Sequence, residues 1–540
     1  MNLRPRPTLL AVLLALACAS AQAGDLQQAY DLARQSDPQL AGAEAAKRGG
    51  EAGVGLARSA LLPQVGAQGS ISKAQGGSHA FGPFQCPGGV CYGTTRGSSD
   101  TTTRTTGISV QQSVFNLANI DQYRASRSGR QQTDALYDGA SQALITRVAQ
   151  AYFNVLSAIQ DLASSRAQER ALKRQYDQAN VRLQVGLAPI TDMQEAKAQY
   201  DIARAQTISF QTALADAREA LTEITGQPVD HLKGLAADFK PTAPTPGDVD
   251  AWVKQAVDGN PQVVAAQRAL DAADHQVDAA RAARLPTLNF SANYGDSSSW
   301  GTQGSNGVNF PNNSVNYGPS YQLSLNVPIF SGFAISSRVQ QAVAARDGAA
   351  DTLEQTRRAT QRQARNAFNS TMGGLIEIEA RRQALLSAQT ALDATQTGLE
   401  VGTRTIVDVL INEQQLYSAQ RDYARARNNF LVNGLLLKQA AGTVQASDVA
   451  AVNAFLVTDA EAALDASGDA ADTTMPGLPE RPTKAAEPAA TDATIPAAKA
   501  AAPAKKAKRA KHAAKHPAPA AVSPAHATPS PDATASPSTP

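Results

Sequence analysis

Four segments of the chain alternate between apolar and polar residues with a period of two. They lie at residues 64–72, 105–115, 287–295 and 320–330. In the first segment, Val65 and Ile71 lie on one face, while Gln68 and Ser70 lie on the other. Alternation over about ten residues predicts β-strands with one apolar face, of the length that a tilted bilayer crossing needs. A loop rich in Gly, Ser and Thr or Asn is predicted between the strands of each pair.

Four strands are too few to close a barrel, and an open sheet in lipid would leave two edges without hydrogen-bond partners. The strands must therefore be shared among chains. Two copies would supply eight strands, whose side chains largely fill the interior, whereas three copies would supply twelve and leave a conduit. A soluble antiparallel sandwich would show the same alternation, but long helices would not usually interrupt it.

The segments between the strand pairs are predicted to be long helices. No proline occurs from Ala118 to Gln184, and one helix of about 65 residues would be roughly 100 Å long. The helix predicted after each long one carries apolar or small residues at a spacing of three and four, which is typical of coiled coils. These rows are Tyr200, Ala203, Thr207, Phe210, Leu214, Ala217 and Leu221 in one half and Leu416, Ala419, Tyr423, Ala426, Phe430, Asn433 and Leu437 in the other.

The whole pattern occurs twice along the chain. Asp37-Pro38 matches Asn260-Pro261, and Leu62-Pro63 matches Leu285-Pro286 at the same spacing. Self-similarity at a constant spacing indicates a tandem structural repeat. We therefore predict a first copy at residues 24–230, a linker at 231–246 and a second copy at 247–445.

Each copy contains a short break that predicts the tip of a helical hairpin, at residues 185–193 and 401–409. Gly186 and Gly402 would end the outgoing helices, because glycine adopts the left-handed conformation that terminates them. Thr191 and Thr405 would begin the returning helices, since Thr191-x-x-Gln194 and Thr405-x-x-Asp408 match a capping box, the second approximately.

The two ends of the chain differ in composition from the two repeat copies. Residues 1–23 have the form of a secretory signal peptide, with Arg4 and Arg6 before an apolar run. Cys18 raises the alternative of a lipoprotein signal, although Ala15 stands where a lipid-attachment box prefers Leu. Residues 446–472 are predicted to form a short helix and a linker. Residues 473–540 are rich in Ala, Pro and Lys and predict a disordered tail.

Composition narrows the classes of function. The formal net charge of +2 gives no reason to expect a nucleic-acid partner. No apolar run of about 18 residues follows the signal, so any membrane crossing is predicted to use strands. The chain contains no HExxH motif, phosphate-binding glycine loop or nucleophile elbow. We therefore predict neither an enzyme nor a cofactor.

Two cysteines remain after the signal peptide, and both lie in the first predicted loop. Cys86 and Cys91 flank Pro-Gly-Gly-Val in an exported chain, which favours a small disulfide loop over two free thiols. Only His79 lies nearby, and the spacing matches no zinc pattern, so a metal site is not predicted.

Two stretches, Val401–Leu410 and Ala149–Leu156, closely resemble the TolC family of outer-membrane channels. The resemblance covers about residues 24–457 and implies an α+β membrane protein. Three chains would form a twelve-stranded barrel in the outer membrane, continuous with a long α-helical coiled-coil tunnel in the periplasm. The implied partners are two other copies of the chain, outer-membrane lipids, a periplasmic adaptor protein and an inner-membrane pump of the RND, ABC or MFS class.

The same resemblance implies roles for residues at the hairpin tips. Asp192 and Arg404 correspond to partners in a latch that holds the periplasmic mouth shut, and Leu399 replaces the tyrosine of that latch. Asp408 matches the first of two aspartate rings at the tunnel entrance, whereas Ile411 occupies the second. We expect a weaker cation-sensitive constriction in this chain. Independently of any gate, Asp192 and Asp408 would stabilise a helix N-terminus.

The function implied is that of a passive exit duct for small hydrophobic compounds or unfolded polypeptides, with energy supplied by the inner-membrane partner. The alternative is a periplasmic adaptor or structural coiled-coil protein without a pore. Two sets of amphipathic strand pairs flanking two hairpins favour the channel.

Overall fold

The computed structural model describes residues 24–305, 308–462 and 464, so the predicted signal peptide, Cys18 and the tail at 473–540 lie outside the described residues. The first half contains α1 (Leu26–Ser36), α2 (Pro38–Ser59), β1 (Gln64–Cys86), β2 (Gly89–Phe115), α3 (Leu117–Gln184), α4 (Ile190–Thr225) and β3 (Lys233–Leu235). The second contains α5 (Val249–Gly259), α6 (Pro261–Ala282), β4 (Thr287–Ser305), β5 (Val308–Pro311), β6 (Ser314–Asn326), α7 (Ala334–Glu400), α8 (Ile406–Ala440), α9 (Ala446–Asn453) and β7 (Leu456–Asp459). Two short helices, a strand pair and two long helices therefore follow one another twice.

The main sheet is antiparallel, with its long strands in the order β1-β2-β4-β6. The short strand β5 pairs with the far end of β4. Because β1 and β6 end the order, each has one edge without a neighbouring strand among the described residues. Val65, Leu323 and Leu325 are between 64 and 70 % exposed in the isolated chain, so the apolar face of this sheet is uncovered.

The strands are much longer than their hydrophobic alternation predicted. β1 and β2 run for 23 and 27 residues and meet at a tight turn after Cys86, so the predicted 30-residue loop is wrong. β4 likewise continues to Ser305. The extra residues are mostly Gly, Ser, Thr and other polar residues with scattered apolar ones such as Phe81, Val90 and Trp300, and their pairing uses backbone groups that every residue carries. The alternation of apolar and polar side chains therefore ends before the hydrogen-bonded pairing of the strands ends.

The long helices have the predicted lengths, 68 residues in α3 and 67 in α7. Each is followed by a returning helix of 36 or 35 residues. Their apolar rows point inwards, as expected: Leu144, Val148, Tyr152, Val155 and Ile159 of α3 are at most 1 % exposed. The Tyr152 hydroxyl donates to the Lys233 carbonyl oxygen at 2.8 Å and lies 3.1 Å from the Gly24 carbonyl oxygen, which joins α3 to β3 and to the segment before α1. No described helix combines the length and the apolar character that crossing a bilayer demands.

A second, two-stranded sheet pairs β3 with β7. The sequence predicted a linker at 231–246 and a short helix with a linker at 446–472, so these two strands were missed and α9 is shorter than expected. Strands of three and four residues are too short for a periodic signal. Phe239 and Phe455, which flank the two strands, pack against each other with ring centroids 5.2 Å apart.

The matched residues of the two halves occupy the same structural positions. Asp37 and Asn260 both cap a helix that begins with proline, α2 or α6. Their second contacts differ: the Asp37 carboxylate binds the Arg147 guanidinium of α3 at 2.6 Å, whereas the Asn260 amide donates to the Ala440 carbonyl of α8 at 3.0 Å. Each contact joins a short helix pair to a long hairpin, through an ion pair in one half and a neutral bond in the other.

Candidate gate at the hairpin tips

The first hairpin turns through a left-handed glycine. Gly186 has φ 76° and donates its N–H to the Leu183 carbonyl at 3.0 Å, while the Leu187 N–H reaches the Arg182 carbonyl at 2.8 Å. This pair of bonds is the Schellman arrangement, which satisfies the last carbonyls of α3. An L-residue is strained at this φ, and glycine is not.

The second hairpin makes the same turn with the same bonds. Gly402 has φ 78° and donates to the Leu399 carbonyl at 3.2 Å, and the Thr403 N–H reaches the Gly398 carbonyl at 2.8 Å. The role predicted for Gly186 and Gly402 as helix terminators is therefore present at both tips.

The starts of the returning helices differ. Thr405 caps α8 in a complete capping box: the Asp408 N–H donates to Thr405 Oγ1 at 3.3 Å, and the Thr405 N–H donates to Asp408 Oδ2 at 3.0 Å. The capping box predicted at Thr191 is wrong, because α4 begins at Ile190 after Pro189 and has no side-chain cap. The extended backbone of Pro189 starts that helix two residues early and places Thr191 inside its first turn.

The two predicted latch residues lie on different hairpins of the chain. Arg404 packs over the opposite arm of its own tip, since a Cβ placed on Gly398 would lie 2.6 Å from Arg404 Cγ. The Asp192 carboxylate accepts a bond from the Thr191 hydroxyl at 3.4 Å. Among the described residues of a single chain, no ion pair joins Asp192 to Arg404. Their contact stays a prediction for the assembled tunnel.

A small apolar cluster fastens the second tip to the first hairpin. Ile406 and Leu410 of α8 pack against Leu172, Ala179, Ala196 and Ala203 of α3 and α4. Leu399, which the resemblance places at the latch tyrosine's position, contributes to this cluster as an apolar side chain. Ile411 is not part of this cluster and is 55 % exposed, so the position expected for the second aspartate ring presents an apolar surface.

The Asp408 carboxylate is held by its own helix cap. Hydrogen bonds from the Thr405 N–H and hydroxyl lower the pKa of Asp408, and the nearby Arg404 charge lowers it further. Within one chain, this carboxylate is therefore ionised over a wider pH range than usual. Repulsion among three converging copies would act in the opposite direction.

Sequence reasoning missed a buried carboxyl group beside the cluster. Glu413 is 7 % exposed and lies three residues after Leu410, on the row of α8 that faces α3. Burial raises the pKa of Glu413 to about 7, although attraction to Arg174 partly offsets it. The available signal was a glutamate in the apolar row Ile406, Leu410, Glu413 and Tyr417, where every other member is apolar or aromatic.

Farther from the tips, a polar network joins the hairpins. Arg425 of α8 forms an ion pair with Asp161 of α3 at 2.5 Å, and Arg421 donates to Ser164 Oγ at 3.4 Å. Burial raises the pKa of Asp161 despite the opposing Arg425 bond. This network positions α8 on α3 along the seam that leads to Glu413.

At the other end of the molecule, a disulfide joins Cys86 to Cys91 across the turn between β1 and β2. Within the described ranges, no three His, Cys, Asp or Glu side chains are grouped as a metal ion would require.

Comparison with known proteins connects this geometry to a family. The sequence model of the outer membrane efflux protein family matches residues 29–227 and 252–443, which are the two halves of the repeat. The chain belongs to the outer membrane efflux protein family. Outer membrane protein TolC of Escherichia coli K12 is 35 % identical over 437 residues, which cover 80 % of this chain and 85 % of that protein.

Other relatives agree with this family. The alkaline protease secretion protein AprF of Pseudomonas aeruginosa is 27 % identical over 80 % of this chain and 87 % of its own length. The solved outer membrane protein VceC of Vibrio cholerae shares the fold, with a TM-score of 0.60, 21 % identity and coverage of 77 % of this chain and 96 % of that one.

This chain is thus an outer-membrane exit channel of the efflux and type I secretion class. The predicted α+β fold class is confirmed: a sheet that contributes to a barrel is continuous with long helices. The alternative of a periplasmic adaptor without a pore is wrong, because the family consists of channels.

Proposed function

We propose that three copies of this chain close one barrel of twelve strands and one helical tunnel, forming a passive exit duct that performs no chemical step. The observation that carries this proposal is the pair of open edges on β1 and β6. In hydrocarbon, an unpaired strand edge leaves N–H and C=O groups without partners, at a cost of several kcal/mol for each group. Pairing β1 of one chain with β6 of the next removes both edges.

The lengths of the edge strands support the same arrangement. β6 spans 13 residues, and β1 begins at Gln64, level with Gln111 near the helical end of β2. A neighbouring β6 would therefore cover about the first half of β1. The remainder of the β1–β2 hairpin would extend beyond the barrel, where its Gly and polar residues outnumber its apolar ones and would meet water instead of lipid.

The tips are the surface proposed for the adaptor and the pump. Leu187, Ile190 and Val401 are between 60 and 79 % exposed at the ends of the two hairpins. Apolar side chains grouped at the end of a molecule favour an interaction surface over bare contact with water. A periplasmic adaptor would bind there, and an inner-membrane pump of the RND, ABC or MFS class would supply the energy.

The cargo class follows from relatives of both kinds. The alkaline protease secretion protein of Pseudomonas aeruginosa and the proteases secretion protein PrtF of Dickeya chrysanthemi are named for protein export. The outer membrane efflux protein BepC of Brucella suis is named for efflux. A single tunnel of this kind accepts small hydrophobic compounds or unfolded polypeptides, since its partner selects the substrate.

Disulfide cross-linking at the sheet edges tests the assembly. Ser70→Cys in β1 would be combined in turn with cysteines at positions 320–326 in β6, and covalent trimers after oxidation are the expected result. Val65→Cys with Val110→Cys is the matched control, because these residues are partners within one chain and their bond leaves a monomer. A protein that stays monomeric and soluble without detergent, with no bond between chains at any position, refutes the proposal.

A further inference from the structure

Glu413 lies on the seam between the two hairpins, one turn beyond the cluster that fastens the second tip. The residues of α8 on this seam contact α3 directly: the Ser164 hydroxyl of α3 donates to the Tyr417 carbonyl at 3.3 Å, and Arg425 binds Asp161. Ile406 and Leu410 continue the same face of α8 toward the tip. Glu413 is therefore enclosed by the other hairpin of its own chain.

The carboxyl group has little to compensate its burial. Glu413 Oε2 has no hydrogen-bond partner among the described residues, and the side chain is 7 % exposed. An ionised carboxylate in such a place is unfavourable, while a protonated one is much less so. The packed seam therefore favours the protonated, neutral form of Glu413.

The surrounding groups determine how strongly the charge is disfavoured. On α3, Arg174 attracts the Glu413 charge, and Arg170 and Arg174 both act on the neighbouring Tyr417 of α8. On α3 and α4, Tyr176 and Tyr200 stack at the adjacent cluster with ring centroids 6.4 Å apart. On the adjacent face of α8, Asn412 donates to the Thr395 hydroxyl of α7 at 2.8 Å, which is a neutral contact. Burial therefore prevails over the attraction to Arg174.

We propose that Glu413 is a proton-operated positioning residue of the gate: when neutral it holds the second tip against the first hairpin, and when ionised it favours their separation. This proposal rests on the proposed function, in which the tips close the tunnel. Opening requires the α7–α8 tip to move away from α3 and α4, and that movement exposes Glu413 to water. The acid form stabilises the closed tunnel, and the base form stabilises the open one.

The direction of the pH dependence follows from the two environments. Exposed to water, a glutamate titrates near 4.5, whereas burial raises the pKa of Glu413 to about 7. The closed arrangement is therefore most stable relative to the open one below about pH 4.5, and this advantage decreases as the pH rises toward 7. The ratio of open to closed tips would rise roughly tenfold per pH unit between about pH 5 and pH 7.

The test compares the full chain with Glu413→Gln, which keeps the neutral shape of the side chain, and with Glu195→Gln, which changes an exposed carboxylate on α4 near the first tip. Open probability is measured in planar bilayers at pH 5, 6, 7 and 8. The wild type and Glu195→Gln should open progressively, whereas Glu413→Gln should stay mostly closed at every pH. Equal pH dependence in wild type and Glu413→Gln overturns the proposal.

Hydrogen exchange separates this proposal from the proposed function. In detergent, amide protection of residues 406–417 is measured at pH 5 and pH 8 and corrected for intrinsic exchange. Amide protection that is lower at pH 8 than at pH 5 in the wild type, but equal at both pH values in Glu413→Gln or Glu413→Leu, supports the role of Glu413. This holds even if no channel current appears. Unchanged wild-type protection overturns it, even in a protein that conducts as a trimer.

Discussion

The Asp408 carboxylate and Thr405 are bound to each other in three ways. Asp408 Oδ2 accepts from the Thr405 N–H and the Thr405 hydroxyl, each at 3.0 Å, and the Asp408 N–H donates to Thr405 Oγ1 at 3.3 Å. The residue expected to line the tunnel entrance is therefore also the residue that completes the start of α8. A substitution at Asp408 alone would change both properties.

The first prediction separates capping from cation binding. Asp408→Ala should abolish block by multivalent cations applied at the periplasmic side, because it removes the converging carboxylates. Thr405→Ala should weaken the start of α8 by about 1 kcal/mol while keeping the block, because the carboxylate remains. Single-channel current with increasing trivalent cation concentration measures both.

Two results would contradict the first prediction. If Thr405→Ala loses the block as completely as Asp408→Ala, the capping geometry and not the ring of charge controls the current. If the wild type shows no block, Ile411 in place of a second aspartate ring has removed it altogether.

The second prediction concerns the latch. Arg404→Ser should raise single-channel conductance, because it removes the cation that we expect to bind Asp192 when the tips converge. Arg358→Ser is a matched control, since Arg358 lies on α7 far from the tips and forms an exposed ion pair with Glu354 at 2.7 Å. An unchanged conductance in Arg404→Ser would remove Arg404 from the latch.

The third prediction concerns the joint between α1, α2 and α3. Burial alone would raise the pKa of Asp37, but bonds from Arg147 and from the Leu40 and Gln39 N–H groups outweigh it and lower that pKa. The ionised form therefore stabilises the fold above the ordinary value of 3.8, and this stabilisation is lost as the pH falls further. Arg147→Ala should lower the free energy of unfolding by about 2 kcal/mol at neutral pH.

Thermal unfolding followed by circular dichroism between pH 3 and pH 7 checks this prediction. The wild type should lose stability at acid pH more steeply than Asp37→Asn. Asn260→Ala is the comparison in the other half, where the joint is a neutral bond and its loss should be nearly independent of pH. Identical acid dependence in wild type and Asp37→Asn would contradict the assignment.

The fourth prediction concerns the disulfide at the end of the β1–β2 hairpin. The double variant Cys86→Ser, Cys91→Ser removes the bond that closes a very small loop. The entropic model predicts that the end of the hairpin loses about 2 kcal/mol of stability. The far end of the hairpin should become more susceptible to proteolysis. Trimer formation and conductance should not change, because a neighbouring β6 would cover only about the first half of β1, away from the disulfide. A loss of trimers in the double variant would show that the hairpin end takes part in assembly.

Local sequence signals predicted the elements well where a single residue type decides the conformation. Gly186 and Gly402 end their helices because a positive φ suits glycine, and Thr405 with Asp408 begins α8 through bonds within four residues. The failures have equally local causes. Pro189 started α4 before Thr191 could cap it, and the outer parts of β1 and β2 lacked a continuous apolar–polar alternation to reveal them.

The sequence by itself determined the repeat, the long helices, the period-two strands and the shortage of strands that requires other copies. All of these depend on spacing along the chain. Only the tertiary structure decided that Glu413 is enclosed by the opposite hairpin and that Asp37 meets Arg147, 110 residues away. Burial and charge pairing depend on which distant segments pack together, because a carboxylate is equally polar in any sequence and costly only where water is excluded.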